Sequence, residues 1–306
     1  MTVMVSLIGE QPIPNLLVLR HQKPEEAVLV FTDRTKEVAR RLQRLLENET
    51  EIHFLYTDPY DIQKTYGDLT ELIEKHNCQS QDLVFNLTGG TKTMVLAAYQ
   101  IAIMLQAPFL YLQSERKRSR LYRYKFEGTT YRKESDEFLP GLISIDDYLQ
   151  AHLGYFPGKG EKPRDEFGQA FEEAIADALR ELDLEVKVGV HLAGALEVDL
   201  MVRWENQVGV IQAKTGEAAR KKRGLDQLNA ACEQRYLGTY TAKMLVINEK
   251  WDETRSNLRD LAAKWRITVI ELPSFTKGAA CLSPDDEELL QNTVLKTLGG
   301  RSHDSA

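Results

Sequence analysis

The sequence predicts an α/β protein of two domains, and three observations carry that reading. Short apolar runs alternate with amphipathic stretches over the first 140 residues. A charged stretch containing Gly and Pro, GKGEKPRDEFG (158–168), then interrupts the pattern and reads as a linker. Beyond it the order resets to one helix, three strands, and further alternating helices and strands. A chain of 306 residues agrees with two domains at the usual ~100–200 residues each.

The runs VMVSLI (3–8), AVLVF (27–31), IHFLY (52–56), LVFNL (83–87) and FLYLQ (109–113) are short, apolar, and rich in β-branched or aromatic residues. Such runs suit strands buried on both faces. Between them, 33–47, 61–76 and 91–106 carry apolar residues at helical spacing, as at Val38, Leu42, Leu45 and Leu46. Asp33, Asp61 and Thr91 stand where N-caps belong. Another helix follows Gly9 and Pro12. The alternation implies a parallel, doubly wound sheet of Rossmann type, with helices on both faces. SRLYRYKFEG and TTYRKESDEF then predict a hairpin.

After the linker, FGQAFEEAIADALREL (167–182) reads as an amphipathic helix. VKVGVHLAG (186–194), LEVDLMVRWEN (196–206) and QVGVIQAKTG (207–216) read as strands. A helix over about 223–236, a strand at 242–249, a helix at 254–266 and a strand at 267–272 follow. The tail holds one more helix, EELLQNTVLKTL, capped by Ser283 or Asp285.

Composition is 42% hydrophobic and 28% charged, that of a soluble globular protein. No run reaches the ~18 apolar residues of a membrane span, and MTVMVSLIGEQPIP lacks a signal-type pattern. Cys78, Cys232 and Cys281 are far apart, so neither disulfides nor a zinc finger is expected, and the expected location is cytoplasmic. A net charge of −7 argues against coating nucleic acid by bulk electrostatics. RKKR (220–223) and ERKRSRLYR (115–123) are local basic patches or solvated surface. His21, His53, His76, His152 and His191 show no ligand spacing and read as packing or surface residues. Trp204 and Tyr236 either stack a base or pack.

In LEVDLMVRWENQVGVIQAK, Glu197 and Asp199 share one strand face, and Gln212 and Lys214 share one face of the next. The tight turn between the strands sets Asp199 across from the Gln212–Lys214 pair. An acid, a second oxygen ligand and a lysine can hold Mg2+ or Mn2+ against a phosphate. Lys214 would orient or deprotonate water, or stabilise the developing oxyanion. Glu172 on the preceding helix is the candidate that completes the cluster, since Glu173 lies about 100° round the helix. The alternative is a sheet face that is merely wet, but a lysine ending the apolar VGVI run needs a reason.

LVFNLTGGTKTMVLAAY (83–99) runs a strand into a Thr-Gly-Gly-Thr-Lys turn that opens a helix. Gly89 and Gly90 let the backbone approach a ligand or take positive φ. The helix N-terminus, with Thr88, Thr91 and Lys92, offers donors to a phosphate. The Walker spacing GxxxxGK[ST] is absent. A plain strand-to-helix connection is the alternative.

FE (171–172), VD (198–199) and QAK (212–214), in this element order, resemble the PD-(D/E)XK nuclease superfamily. The resemblance implies a restriction-endonuclease-like α/β domain over 164–275. Asp199 would be its central metal ligand, Lys214 its catalytic lysine, Glu172 the helix-borne acid, and the main-chain carbonyl of Ala213 a further ligand. Gln212 stands where the family usually has Glu or Asp; it keeps a carbonyl oxygen and removes a negative charge. It marks either an active QxK variant or an inactivated site.

Asn86, Thr88, Gly89, Gly90, Thr91, Lys92 and Met94 match the NxTGGTKxM motif of the CRISPR-associated Rossmann fold (CARF), and SLIGEQPIPN is similar to its first loop. The resemblance implies a sensor of cyclic oligoadenylates over 1–140, acting as a homodimer with two such sites around the ring. Gly9, Gln11, Pro12, Asn86 and Thr88 to Lys92 would line the pocket. Thr32, Asp33, Gln113 and Ser114 join them because they end strands on the same edge. Residues 141–163 would be a connector, and 276–306 a C-terminal helix and tail.

The two halves together resemble the ancillary nucleases of type III CRISPR systems. There, cyclic tetra-adenylate switches on Mg2+- or Mn2+-dependent cleavage of single-stranded RNA or DNA, or nicking of duplex DNA. Two other readings stay open: a non-enzymatic sensor with an inactive core, and a constitutive restriction or repair endonuclease.

Overall fold

Each apolar run of the first half becomes a strand of one sheet. A computed structural model describes residues 2–76, 80–115, 117–155, 165–193, 196–251 and 256–300. The chain divides into two units, Met1–Ile143 with Gln150–Gly154, and Ser144–Leu149 with Tyr155–Ala306.

The first unit runs β1 (Val3–Leu7), α1 (Pro12–Gln22), β2 (Glu26–Phe31), α2 (Lys36–Leu46), β3 (Glu51–Tyr56), α3 (Ile62–Lys75), β4 (Leu83–Asn86), α4 (Lys92–Leu105), β5 (Phe109–Glu115), β6 (Arg118–Glu127) and β7 (Thr130–Phe138). The sheet order is β3-β2-β1-β4-β5-β6-β7. The first five strands pair in parallel, and β6 and β7 extend them as an antiparallel hairpin. Strand order reverses between β1 and β4, which is where doubly wound sheets open a crevice. Helices α1 and α2 pack together, as do α3 and α4. Val5, Leu7, Val30 and Phe85 meet Leu69, Met94, Ala98 and Ile101 in the core under α3 and α4.

Asp61 caps α3 by accepting the Lys64 N–H, and Thr91 caps α4 through the Met94 N–H. Asp33 is not the cap of α2. Asp33–Thr35 instead forms a short 3-10 turn closed by reciprocal bonds between Thr32 and Thr35, and the helix starts at Lys36.

The expected connector contains a further helix, α5 (Ile145–Leu153), whose first residues count with the second unit and whose last count with the first. Its signal was in the sequence: Ser144 and Asp147 form a capping box, side chain to backbone in both directions. Most of GKGEKPRDEFG, residues 158–164, lies outside the described residues.

The second unit continues with α6 (Glu166–Arg180), β8 (Glu185–Ala193), β9 (Leu196–Trp204), β10 (Gln207–Lys214), α7 (Gly216–Ala219), α8 (Arg223–Ala231), β11 (Ala242–Ile247), α9 (Ser256–Lys264), β12 (Ile267–Glu271) and α10 (Pro284–Leu298). Its sheet order is β12-β11-β10-β9-β8. β8, β9 and β10 are antiparallel neighbours, while β10, β11 and β12 run parallel.

Helix α10 is not an appendage. Capped by Ser283, it presents Leu290, Val294, Leu295 and Leu298 at helical spacing to Phe171, Ile175, Leu200 and Ile211. The expected boundary at 275 therefore cuts through one hydrophobic core.

Among the described residues no helix is long and apolar enough to cross a membrane. Cys232 and Cys281 are free thiols, and Cys78 lies outside the described residues.

Because Leu290 is fully buried and Leu289 is exposed, their alanine variants should separate cleanly in denaturant melts. Leu290→Ala should cost about 2–5 kcal/mol, and Leu289→Ala should stay within about 0.5 kcal/mol of the parent. Equal effects would mean that α10 is not part of this core.

Candidate functional site

β9 and β10 pair from Trp204–Gln207 as far as Leu200–Ile211. Past that pair the Asp199 carboxylate stands in the opening. Its Oδ2 accepts the Ala213 N–H at 2.8 Å and Lys214 Nζ at 3.1 Å. In a strand the N–H and C=O of one residue point to the same neighbour, so the Ala213 carbonyl is directed into the same opening. Gln212 is 1% exposed, and its Oε1 has no hydrogen-bond partner among the described residues. A buried acceptor left unsatisfied costs about 1–3 kcal/mol. An oxygen-seeking cation would relieve that cost, so the donor set fits Mg2+ or Mn2+.

Strand alternation puts Asp199, Gln212 and Lys214 on the sheet face opposite Leu200, Ile211 and Ala213. Helix α8 covers the trio's face. A Cβ at Gly224 would lie 3.3 Å from Lys214 Cγ and 2.8 Å from Leu245 Cδ1, so glycine lets the helix start against the lysine stem. Glu172 is buried, as the helical spacing predicts, and Glu173 is exposed, accepting a bond from Gln169. Yet α6 packs in the core on the other face, that of Leu200 and Ile211. The fold brings Asp199, Gln212, Ala213 and Lys214 together, and the apolar side of α6, the helix that carries Glu172, packs against Leu200 and Ile211. Periodicity finds the buried side of a helix; it is silent on which sheet face that helix covers.

The basic patches are largely answered by acids. Arg220 pairs with Glu249, Lys221 with Glu217, and Lys222 with Asp226. Arg120 pairs with Glu115 and Asp136, and Arg123 with Glu134. Trp204 packs against the core, and Arg235 lies over the ring of Tyr236.

In the first unit, the β1–α1 and β4–α4 loops meet at the carboxyl edge of the sheet, at the switch point. A Cβ on Gly89 would lie 2.2 Å from Leu7 O, 2.8 Å from Asn15 Nδ2 and 3.0 Å from Gly9 N. Gly90 has φ +75°. Two backbones thus touch where the sequence supplies three glycines. Beneath them Asn86, fully buried, donates to Asn15 Oδ1 at 3.0 Å and to Ser6 Oγ at 3.3 Å. Its Oδ1 accepts the Thr88 N–H at 3.2 Å and the Thr88 hydroxyl at 2.6 Å.

Asn86 is therefore a fastener within the fold and not a pocket-lining group. Pro12 and Thr32 are also buried, and the Thr91 hydroxyl is engaged by Met94 N–H and Pro59 O. Gly9, Gln11, Thr88, Gly89 and Gly90 are half-buried at this edge, while Lys92, Asp33, Gln113 and Ser114 are exposed. Lys92 forms no ion pair among the described residues.

Two residues were missed. Asn15 donates to Leu7 O at 3.1 Å, and a lone polar residue within the apolar PNLLVL was its signal. Tyr56 donates to the Asp33 carboxylate at 3.2 Å, which holds its hydroxyl above the usual titration range. It ends β3 on the same edge, so the strand-end rule that selected Asp33 would have found it.

The expectation that the histidines do not cluster fails at one place. Glu26, His53 and His76 come together although 27 and 23 residues separate them in sequence (53 − 26 and 76 − 53).

Residues 3–148 match the family model of the Card1 CARF domain. Can2 from Sulfobacillus thermosulfidooxidans, solved in complex with cyclic tetra-adenylate, has TM-score 0.72 at 16% identity, covering 97% of this chain and 99% of that one. Protein VC1899 from Vibrio cholerae has TM-score 0.68 at 13% identity, with 98% and 99% covered. A type III CRISPR defence DNA nuclease activated by cyclic oligoadenylate has TM-score 0.65 at 14% identity; 95% of this chain matches 51% of that one. At these identities the likeness is one of fold. No curated protein matches the sequence.

Gly89→Ala should destabilise the first unit by about 1–3 kcal/mol, because Leu7 O cannot yield without moving β1. Gly67, inside α3 with nothing within 4 Å of an added Cβ, is the control. Gly67→Ala should be neutral or stabilise by up to about 1 kcal/mol. Chemical denaturation of both variants checks the pair, and a neutral Gly89→Ala would refute the close approach.

Proposed function

We propose that this chain is a metal-dependent nuclease of type III CRISPR defence, gated by cyclic tetra-adenylate. The observation that carries the nuclease half is the buried, unpartnered Gln212 Oε1 beside the Asp199–Lys214 pair. Asp199, Gln212 and the Ala213 carbonyl would hold Mg2+ or Mn2+. Glu172, buried on α6, would complete the set from the helix. When bound, the ion supplies Lewis acidity and lowers the pKa of water.

The chain's own residues do the rest. Asp199 orients Lys214 through the 3.1 Å bond. Lys214, held by Asp199, would position water or offset charge growing on the phosphate. Glutamine in place of an acid lowers the negative charge of the site, so metal demand is higher than with glutamate.

The sensing half rests on the Card1 CARF match and on the shared fold of Can2, which was solved with cyclic tetra-adenylate. Gly9, Gln11 and Thr88 to Lys92 would take the ligand, with α4's N-terminus and Lys92 facing its phosphates. A two-fold-symmetric ring favours a homodimer. Binding activates only through different affinity for two states. The substrate class is single-stranded RNA or DNA, or duplex DNA that is nicked, in the cytoplasm.

One gel tests both halves: single-stranded RNA, single-stranded DNA and supercoiled plasmid with Mn2+, with and without cyclic tetra-adenylate. Lys214→Ala should lose at least about 100-fold in cleavage, and Lys92→Ala should fold normally and lose activation. Equal rates with and without the ring would remove the switch and leave a constitutive nuclease. Gln212→Glu should reach full rate at lower Mg2+ and keep or raise cleavage; loss of cleavage there counts against position 212 as a ligand.

A further inference from the structure

The first unit holds a second cluster of ligand-type side chains, at the amino edge of the sheet and away from the glycine loops. Glu26 opens β2, and Glu51 is its register partner at the start of β3. His53 lies two residues beyond Glu51 and so shares its face. His76 immediately follows α3. The His53 Nε2 stands 3.1 Å from Glu26 Oε2 and 3.7 Å from Glu51 Oε1. The His53 and His76 rings have centroids 5.0 Å apart, tilted by 58°. One ligand atom from each of Glu26, His53 and His76 lies within 4.8 Å of the others.

Hydrogen bonding accounts for His53 and Glu26 alone. Ring packing brings a second imidazole beside the first, and a shared cation would in addition use a lone pair from each. In a tetrahedral zinc site, donor atoms stand roughly 3.3 Å apart. Side-chain rotation of the exposed His76 can close the remaining gap. The C-terminal end of α3 carries partial negative charge, which favours a cation at that position.

We propose that Glu26, His53 and His76 form a binding site for a zinc-class divalent ion that fastens the end of α3 to the amino edge of β2 and β3. Two imidazoles and one carboxylate select Zn2+, Co2+ or Ni2+ over Mg2+. Glu51, whose carboxylate stands 3.7 Å from His53 Nε2, is placed to close the fourth position. The role is structural: the ion joins three segments distant in sequence, and its binding energy adds to the stability of the unit that contains them. The site is separate from the nuclease cluster, and it stands or falls independently of the function proposed above.

The test uses the full chain carrying Asp199→Asn, so that the nuclease cluster contributes no metal signal. After chelator treatment and dialysis, Zn2+ is titrated by calorimetry and Co2+ by visible absorption, with thermal melts alongside. One Zn2+ per chain, an intense tetrahedral Co2+ spectrum and a raised Tm with Zn2+ but not Mg2+ are expected. Adding His53→Ala should weaken Zn2+ binding by roughly 10-fold or more. Adding His76→Ala, at an exposed position that leaves folding intact, should do the same and abolish the tetrahedral spectrum. Zn2+ affinity unchanged in the His76→Ala protein, or no Zn2+ binding in its parent, would overturn the assignment.

Discussion

The Asp199 carboxylate, held where the pairing of β9 and β10 ends, is the constraint on which the geometry of the second unit's candidate site depends. A nearly buried charge is costly unless it is paired and hydrogen-bonded. Here the Ala213 N–H and the Lys214 ammonium meet one oxygen of it. Those two bonds fix the direction of the lysine and leave the carboxylate's other oxygen, the Ala213 carbonyl and the Gln212 side chain around one opening. Gly224 then matters at a distance in sequence. A Cβ there would lie 2.8 Å from Leu245 Cδ1 and 3.3 Å from Lys214 Cγ, so both side chains would have to shift.

The first unit reaches its site by a different route, through backbone proximity and not through charge. The loops after β1 and β4 approach so closely that a single methyl on Gly89 would strike Leu7 O. Asn86 and Asn15 hold that contact from beneath with every polar group satisfied. Buried, saturated polar networks of this kind specify one arrangement of the loops they join. The end of the turn, at Lys92 and the start of α4, stays exposed.

Much of this was legible in sequence. Continuous apolar runs marked strands; β1 and β4 are buried on both faces, whereas β3, at the sheet edge, has no buried residue, and Asp61, Thr91 and Ser283 marked helix starts. The QAK and TGGTK segments marked the two candidate sites. What failed did so for identifiable reasons. Helix α5 is short enough that its amphipathic pattern barely repeats, leaving only the Ser144–Asp147 box as a signal. Helix α10 looked like a tail because its partners, Phe171 and Leu200, lie about a hundred residues upstream (290 − 171 and 290 − 200). Asn86 looked like a ligand group because a motif says which residues recur, not which side each one faces.

The sequence by itself therefore determined periodicity, caps and the local order of the elements, because those depend on neighbours within a few residues. It also determined that Asp199 faces Gln212 and Lys214, since a two-residue turn leaves an antiparallel hairpin little freedom of register. Only the tertiary structure decided which helix covers which sheet face, α6 on that of Leu200 and α8 on that of Lys214. It alone placed two histidines and a glutamate from three distant segments side by side. Layer assignment and long-range contact arise from packing the whole chain at once, and no local pattern encodes them.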